Sequence, residues 1–132
     1  MSETTNIILF VDDEFYMLQT YKAIFRREFL NETLLYAQSG DEALELLAEY
    51  DPDAIGKLIV LSDWLMPGMK GDELLISIHS KYPMSKGFLL SGMISRDPDP
   101  QLYAKGNLQK VISKPWNNET LKSILRDAVK EE

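Results

Sequence analysis

Five short apolar runs, each followed by a longer amphipathic stretch, recur along the chain, and this alternation narrows the fold more than any other feature. Strands joined by helical crossovers build a parallel sheet covered on both faces. The runs are IILFV at 7–11, TLLYA at 33–37, LIVLS at 58–62, GFLLS at 87–91 and QKVIS at 109–113. The first, third and fourth are apolar nearly throughout, which predicts central strands buried on both sides. Ser39 with Glu42 three residues on is a capping-box signature opening the second helix. Leu121, Ile124, Leu125, Ala128 and Val129 form one apolar stripe of the last helix, ringed by Lys122, Arg126 and Lys130. Phe15, Leu18, Tyr21, Phe25 and Phe29 form a comparable stripe on the first, read as core. The Pro-dense segment RDPDP at 96–100 predicts a loop, then a short fourth helix starting near 99–101 and capped at Gly106. With 132 residues and neither repeat nor linker, one domain is expected.

In an open parallel α/β sheet the functional crevice lies beyond the carboxyl ends of the strands. Here the first run ends in Asp12, Asp13 and Glu14, the third in Ser62 and Asp63, the fourth in Ser91 and Gly92, and the fifth in Ser113, Lys114 and Pro115. Taken singly these residues say little. Asp13 or Glu14 alone reads as a helix N-cap, Ser91 alone as nothing in particular, and Lys114 before a proline as a solvated turn lysine. Their agreement at four strand ends is the signal. Carboxylates brought together repel and raise one another's pKa, so Asp12, Asp13 and Asp63 imply a cation. Hard oxygen ligands, few in number, suit Mg²⁺, with Mn²⁺ able to substitute. Three carboxylates, one Mg²⁺ and one lysine balance to zero charge, which leaves room for a phosphoryl dianion. A carboxylate nucleophile flanked by Mg²⁺ and lysine is equipped to take up a phosphoryl group.

Composition removes other classes. The chain has no cysteine and a single histidine, His79, so disulfides, thiolate chemistry and His-based zinc sites are excluded. His79 falls in the third helix, away from the strand ends, and reads as an ordinary surface or edge residue. Fourteen Lys and Arg against 21 Asp and Glu give a formal charge of −7, which argues against direct nucleic-acid binding. No glycine-rich phosphate-binding loop occurs, against a nucleotide site. No signal peptide and no apolar run near the ~20 residues of a membrane span is present, so a cytoplasmic protein without membrane attachment is expected.

The acid pair in FVDDE, the run LIVLSDWLMPGMKGDELL, the hydroxyl in LLSG and the lysine in VISKPW together resemble the receiver domain of two-component response regulators, over about residues 5–130. The resemblance implies a doubly wound, flavodoxin-like (βα)5 fold with strand order 2-1-3-4-5. It implies Asp63 as phosphoacceptor, Asp12 and Asp13 as metal-binding acids with Asp13 the direct ligand, and the backbone carbonyl of Leu65 as a further ligand. Ser91 becomes the switch hydroxyl that meets the phosphoryl group, and Lys114 its ion-pairing partner, with a cis bond to Pro115. Gly92 becomes the small residue beside the phosphate, and Leu65 a phosphoryl contact. Met66, Pro67, Gly68 and Gly71 match the turn after the acceptor. Trp64 and Trp116 flank the site as packing residues.

Two positions depart from the family's pattern. Val111 stands where many receivers carry a switch Tyr or Phe. Leu65 and Met93 stand two residues after Asp63 and Ser91, where other receivers often have polar groups that orient an attacking water, so a long-lived phosphoryl group is expected. The implied partners are a histidine kinase or phosphotransfer protein as donor, and an output protein or an effector domain absent from these residues, with a phosphorylation-dependent dimer as a further option. KPWNN at 114–118 resembles the segment of receivers attached to, or encoded with, kinase and cyclic-dinucleotide phosphodiesterase modules. On this reading the chain is not an enzyme beyond assisting its own phosphorylation and slow dephosphorylation. The competing readings are a degenerate receiver that binds proteins without phosphorylation, and an aspartyl-nucleophile Mg²⁺ phosphatase. The second expects a D-x-D pattern after the first strand, where this chain has adjacent Asp12 and Asp13.

Overall fold

The computed structural model describes residues 4–92 and 98–131. Within them the chain runs β1 (Thr5–Val11), α1 (Phe15–Phe25), β2 (Thr33–Ala37), α2 (Gly40–Leu47), a 3₁₀ turn (Pro52–Ala54), β3 (Ile55–Asp63), α3 (Gly71–Lys81), β4 (Ser85–Ser91), α4 (Pro100–Lys105), β5 (Leu108–Ser113) and α5 (Asn118–Lys130). All strand pairs are parallel, in the order β2-β1-β3-β4-β5. The apolar runs mark the buried heart of β1, β3 and β4, while those of the edge strands β2 and β5 are only partly buried. The structure extends β1, β3, β4 and β5 toward their starts, to Thr5, Ile55, Ser85 and Leu108, and carries β3 one residue further, to Asp63.

Side chains alternate across a strand, so each central strand feeds two cores. Ile7, Leu9 and Val11 of β1, with Leu58 and Val60 of β3, pack on Ala43, Leu47, Leu74, Ile78 and Leu102 from α2, α3 and α4. Ile8 and Phe10, with Ile59 and Leu61, pack on Leu18, Tyr21, Phe25, Leu121 and Leu125 from α1 and α5. The stripes expected on the first and last helices are therefore core, with one correction. Phe15 is 59% exposed. It is the first residue of α1, at the rim of the crevice, and its neighbour Tyr16 is also exposed. Phe29 lies past the end of α1 yet stays buried, because the chain's following turn keeps it against Phe25 at 6.0 Å.

The caps follow the local sequence. The Ser39 Oγ accepts from the Glu42 N–H at 3.1 Å, and the Asn117 side chain accepts from Glu119 and Thr120. Asp99 caps α4 with Pro100 at its first position, and Gly106 ends it. The left-handed residue there is the next one, Asn107, at φ 47°. Of the RDPDP segment, Arg96 and Asp97 lie outside the described residues, as does Met93.

Candidate functional site

Strand register assembles the site. Val11 is level with Ser62, so Asp12 and Asp63 leave the sheet side by side at the ends of β1 and β3. Asp63 is level with Leu90, and Ser91 with Ser113, which puts Ser91 and Lys114 one step higher on the other flank. Backbone hydrogen bonds continue past the ladder, Trp64 N–H to Leu90 O and Lys114 N–H to Ser91 O, both 2.9 Å, and hold the loop bases in place. The Ser62 Oγ donates to the Asp63 carbonyl at 2.9 Å.

Carboxylate oxygens of Asp12, Asp13 and Asp63 all lie within 4.8 Å of one another, with Asp12 and Asp63 buried and Asp13 exposed. The Lys114 Nζ donates to Asp63 Oδ1 at 2.6 Å and offsets part of that charge. The Asp12 Oδ1 accepts the Glu14 N–H at 2.9 Å, while its Oδ2 is buried without a hydrogen-bond partner. Burial pushes the Asp12 carboxyl up to about 6, opposed by the Glu14 N–H, reinforced by Asp63, eased by Lys114 and reinforced again by Asp13. An orphaned, buried carboxylate oxygen within an all-oxygen donor set is what a hard divalent cation would satisfy, so these residues fit Mg²⁺.

The remaining expected residues surround this cluster. Ser91 is buried at the end of β4, and Gly92 follows it with open space beside its Cα, the nearest atom to an added Cβ being Lys114 Cδ at 4.0 Å. Leu65 opens the loop after Asp63 with its side chain half-exposed. The Lys114–Pro115 peptide bond is cis. Val111, level with Leu89 in β5, is half-buried against the α2–α4 core rather than in the crevice. Trp64 is buried in that same core, and Trp116 stacks on Tyr21 at 5.6 Å. His79 is remote, its Nδ1 lying 3.0 Å from the Ser85 Oγ at the opposite end of β4.

The loop from Asp63 to α3 has a steric requirement. The Gly71 N–H donates to Trp64 O at 2.8 Å, and a Cβ on Gly71 would fall 2.4 Å from the Asp63 carbonyl oxygen. Gly68 sits at φ +75°, where a glycine bears no strain. One residue that sequence reasoning assigned only to the core belongs to this neighbourhood. The Tyr21 hydroxyl is buried without a partner, and burial, then Asp12 and Asp63, push its pKa well above the usual phenol value. Its signal in the sequence is a hydroxyl inside an otherwise apolar stripe.

Comparison with known proteins agrees with the geometry. The family model described as response regulator receiver domain matches residues 8–126. The chain is 30% identical over 125 residues to the uncharacterized transcriptional regulatory protein YesN of Bacillus subtilis, covering 94% of this chain and 32% of that protein. It thus spans about a third of that relative's length. It is 31% identical to the chemotaxis protein CheY of Listeria monocytogenes, covering 93% of this chain and 98% of that one. Among solved structures, the signal receiver domain of an HD domain-containing protein from Pseudomonas fluorescens Pf-5 superposes with a TM-score of 0.75 at 33% identity, covering 96% and 95% of the two chains.

Proposed function

The chain belongs to the response regulator receiver domain family, and from that premise we propose that Asp63 accepts a phosphoryl group from a phosphohistidine of a histidine kinase or phosphotransfer protein. The domain runs over residues 5–130 in this reading. A carboxylate oxygen of Asp63 forms the new O–P bond as the donor's N–P bond breaks, and the released imidazole takes up a proton. One observation carries the reading: three carboxylates converge within 4.8 Å while Lys114 reaches Asp63 at 2.6 Å.

Asp12, Asp13, Asp63 and the Leu65 carbonyl are the residues that would hold Mg²⁺. When bound, that ion supplies neutralising charge for the phosphoryl oxygens. Lys114 pairs with one phosphoryl oxygen, the Ser91 hydroxyl moves to meet another, and the bare backbone at Gly92 lets the group approach. Phosphorylation thereby biases a two-state equilibrium, read by a partner protein or an effector domain. The short, proline-led α4 with β5 and α5 is the face where the two states differ, and Val111 takes the place of an aromatic switch there. A groove of about 580 Å³ beside Lys114, walled by Tyr16, Met17, Pro115 and Trp116, gives a donor a place to lie against the site. Among the described residues no helix is long and apolar enough to cross a membrane. The chain acts on no substrate beyond its own phosphoryl group.

Intact mass after incubation with acetyl phosphate and Mg²⁺ tests this. Wild type gains one phosphoryl group, and Asp63→Asn and chelated samples gain none. No gain in wild type, under conditions that label a working receiver, overturns the reading in favour of a binding module that works without phosphate.

A further inference from the structure

Among the described residues, two buried side-chain polar atoms have no hydrogen-bond partner, Asp12 Oδ2 and the Tyr21 hydroxyl. Leaving a buried hydroxyl unpaired is costly, and a phenylalanine would fill the same space without that cost. The surroundings are already phenylalanine-like. The Tyr21 ring is fully buried, stacked on Phe10 at 5.2 Å and on Trp116 at 5.6 Å. Packing therefore accounts for the ring and leaves the oxygen unexplained.

The position of the oxygen is informative. Helix α1 begins at the crevice, and helical side chains lean toward their helix N-terminus, so Tyr21 reaches back toward the strand ends. Asp12 and then Asp63 are the first charged groups that its hydroxyl feels. An orphaned donor and an orphaned acceptor thus share one end of the sheet. Oxygens of metal-ligating carboxylates are themselves hydrogen-bonded by outer partners, which fix their orientation.

We infer that Tyr21 is a positioning residue for the cation site: its hydroxyl donates to the Asp12 carboxylate, directly or through one ordered water, when a divalent cation is held. The inference rests on the reading of Asp12, Asp13 and Asp63 as a Mg²⁺ site. It assigns the hydroxyl a role in the loaded state and none in the metal-free state.

The test is a Mg²⁺ titration of the full chain, followed by tryptophan fluorescence and checked by calorimetry, for wild type, Tyr21→Phe, Asp12→Asn and the double variant. Tyr21→Phe keeps the ring and its stacking on Trp116. It is expected to weaken Mg²⁺ binding roughly tenfold, while the metal-free variant unfolds at a urea concentration no lower than wild type. In the Asp12→Asn background the added Tyr21→Phe change weakens binding no further. Equal affinity of wild type and Tyr21→Phe overturns the inference, as does an undiminished effect in the Asp12→Asn background or a metal-free loss of stability. Failure of wild type itself to bind Mg²⁺ overturns the underlying metal reading instead, so the two failures are distinguishable.

Discussion

Asp12 makes the metal-free protein less stable at neutral pH than in mild acid, and the size of the effect follows from its burial. Its carboxyl rises from an ordinary 3.8 to about 6 in the folded chain, chiefly because the charged form is desolvated. Between those two values the folded state holds a proton that the unfolded state has lost. Stability from this group is thus fully present below about pH 4, falls as pH rises through 6, and is level above it. At about 1.36 kcal/mol per pKa unit, the loss is about 3 kcal/mol, a sizeable part of a typical domain's 5–15 kcal/mol. The assay is urea unfolding in EDTA at half-unit steps from pH 4.5 to 7.5, on wild type and Asp12→Asn, with midpoints converted through the slope of each transition. The difference between the two proteins isolates this carboxyl from the rest of the acidic surface. It should fall by about 2 kcal/mol between pH 4.5 and 7.5, the rest of the loss lying below pH 4.5, and this pH dependence should vanish when saturating Mg²⁺ holds the carboxylate ionised. Superimposable pH slopes for the two proteins in EDTA would refute the reasoning.

Three further outcomes are expected. Gly71→Ala places a Cβ 2.4 Å from the Asp63 carbonyl oxygen and 3.0 Å from Trp64 Cα, so it should cost about 1–3 kcal/mol in urea unfolding and slow phosphorylation. Gly92→Ala, with its nearest contact at 4.0 Å, should stay within about 0.5 kcal/mol of wild type. Lys114→Met should slow phosphorylation by acetyl phosphate roughly 10- to 100-fold, the worth of a charge-assisted hydrogen bond, as followed by intact mass against time; an unchanged rate would remove Lys114 from the reaction. The phosphoryl group of wild type should be long-lived, and Leu65→Gln should shorten its lifetime about tenfold by giving an attacking water a partner; rapid loss of label from wild type in Mg²⁺ would contradict this.

Local pattern carried much of this protein. Short apolar runs marked all five strands, and period-3.6 stripes the first and last helices, because each element's buried residues are written in its own sequence. Ser39, Asn117 and Asp99 cap helices through neighbours two or three positions away, an interaction that needs no distant partner. Asp12, Asp13, Asp63, Ser91 and Lys114 were visible as strand-end residues, since a parallel sheet delivers every strand end to the same side.

What local pattern left open depends on residues far apart in the chain. Phe15 belongs to an apolar stripe by spacing, yet it is exposed because the first turn of α1 stands at the crevice rim. The need for glycine at 71 arises only when α3 returns against the Asp63 carbonyl. The raised Asp12 pKa and the stranded Tyr21 hydroxyl exist only once β1, α1 and β3 have closed around them. The sequence by itself determined which elements form and which side chains stand at their ends, because periodicity and capping act within a few residues. Burial, close approach and electrostatic coupling act between elements, and those the tertiary structure alone decided.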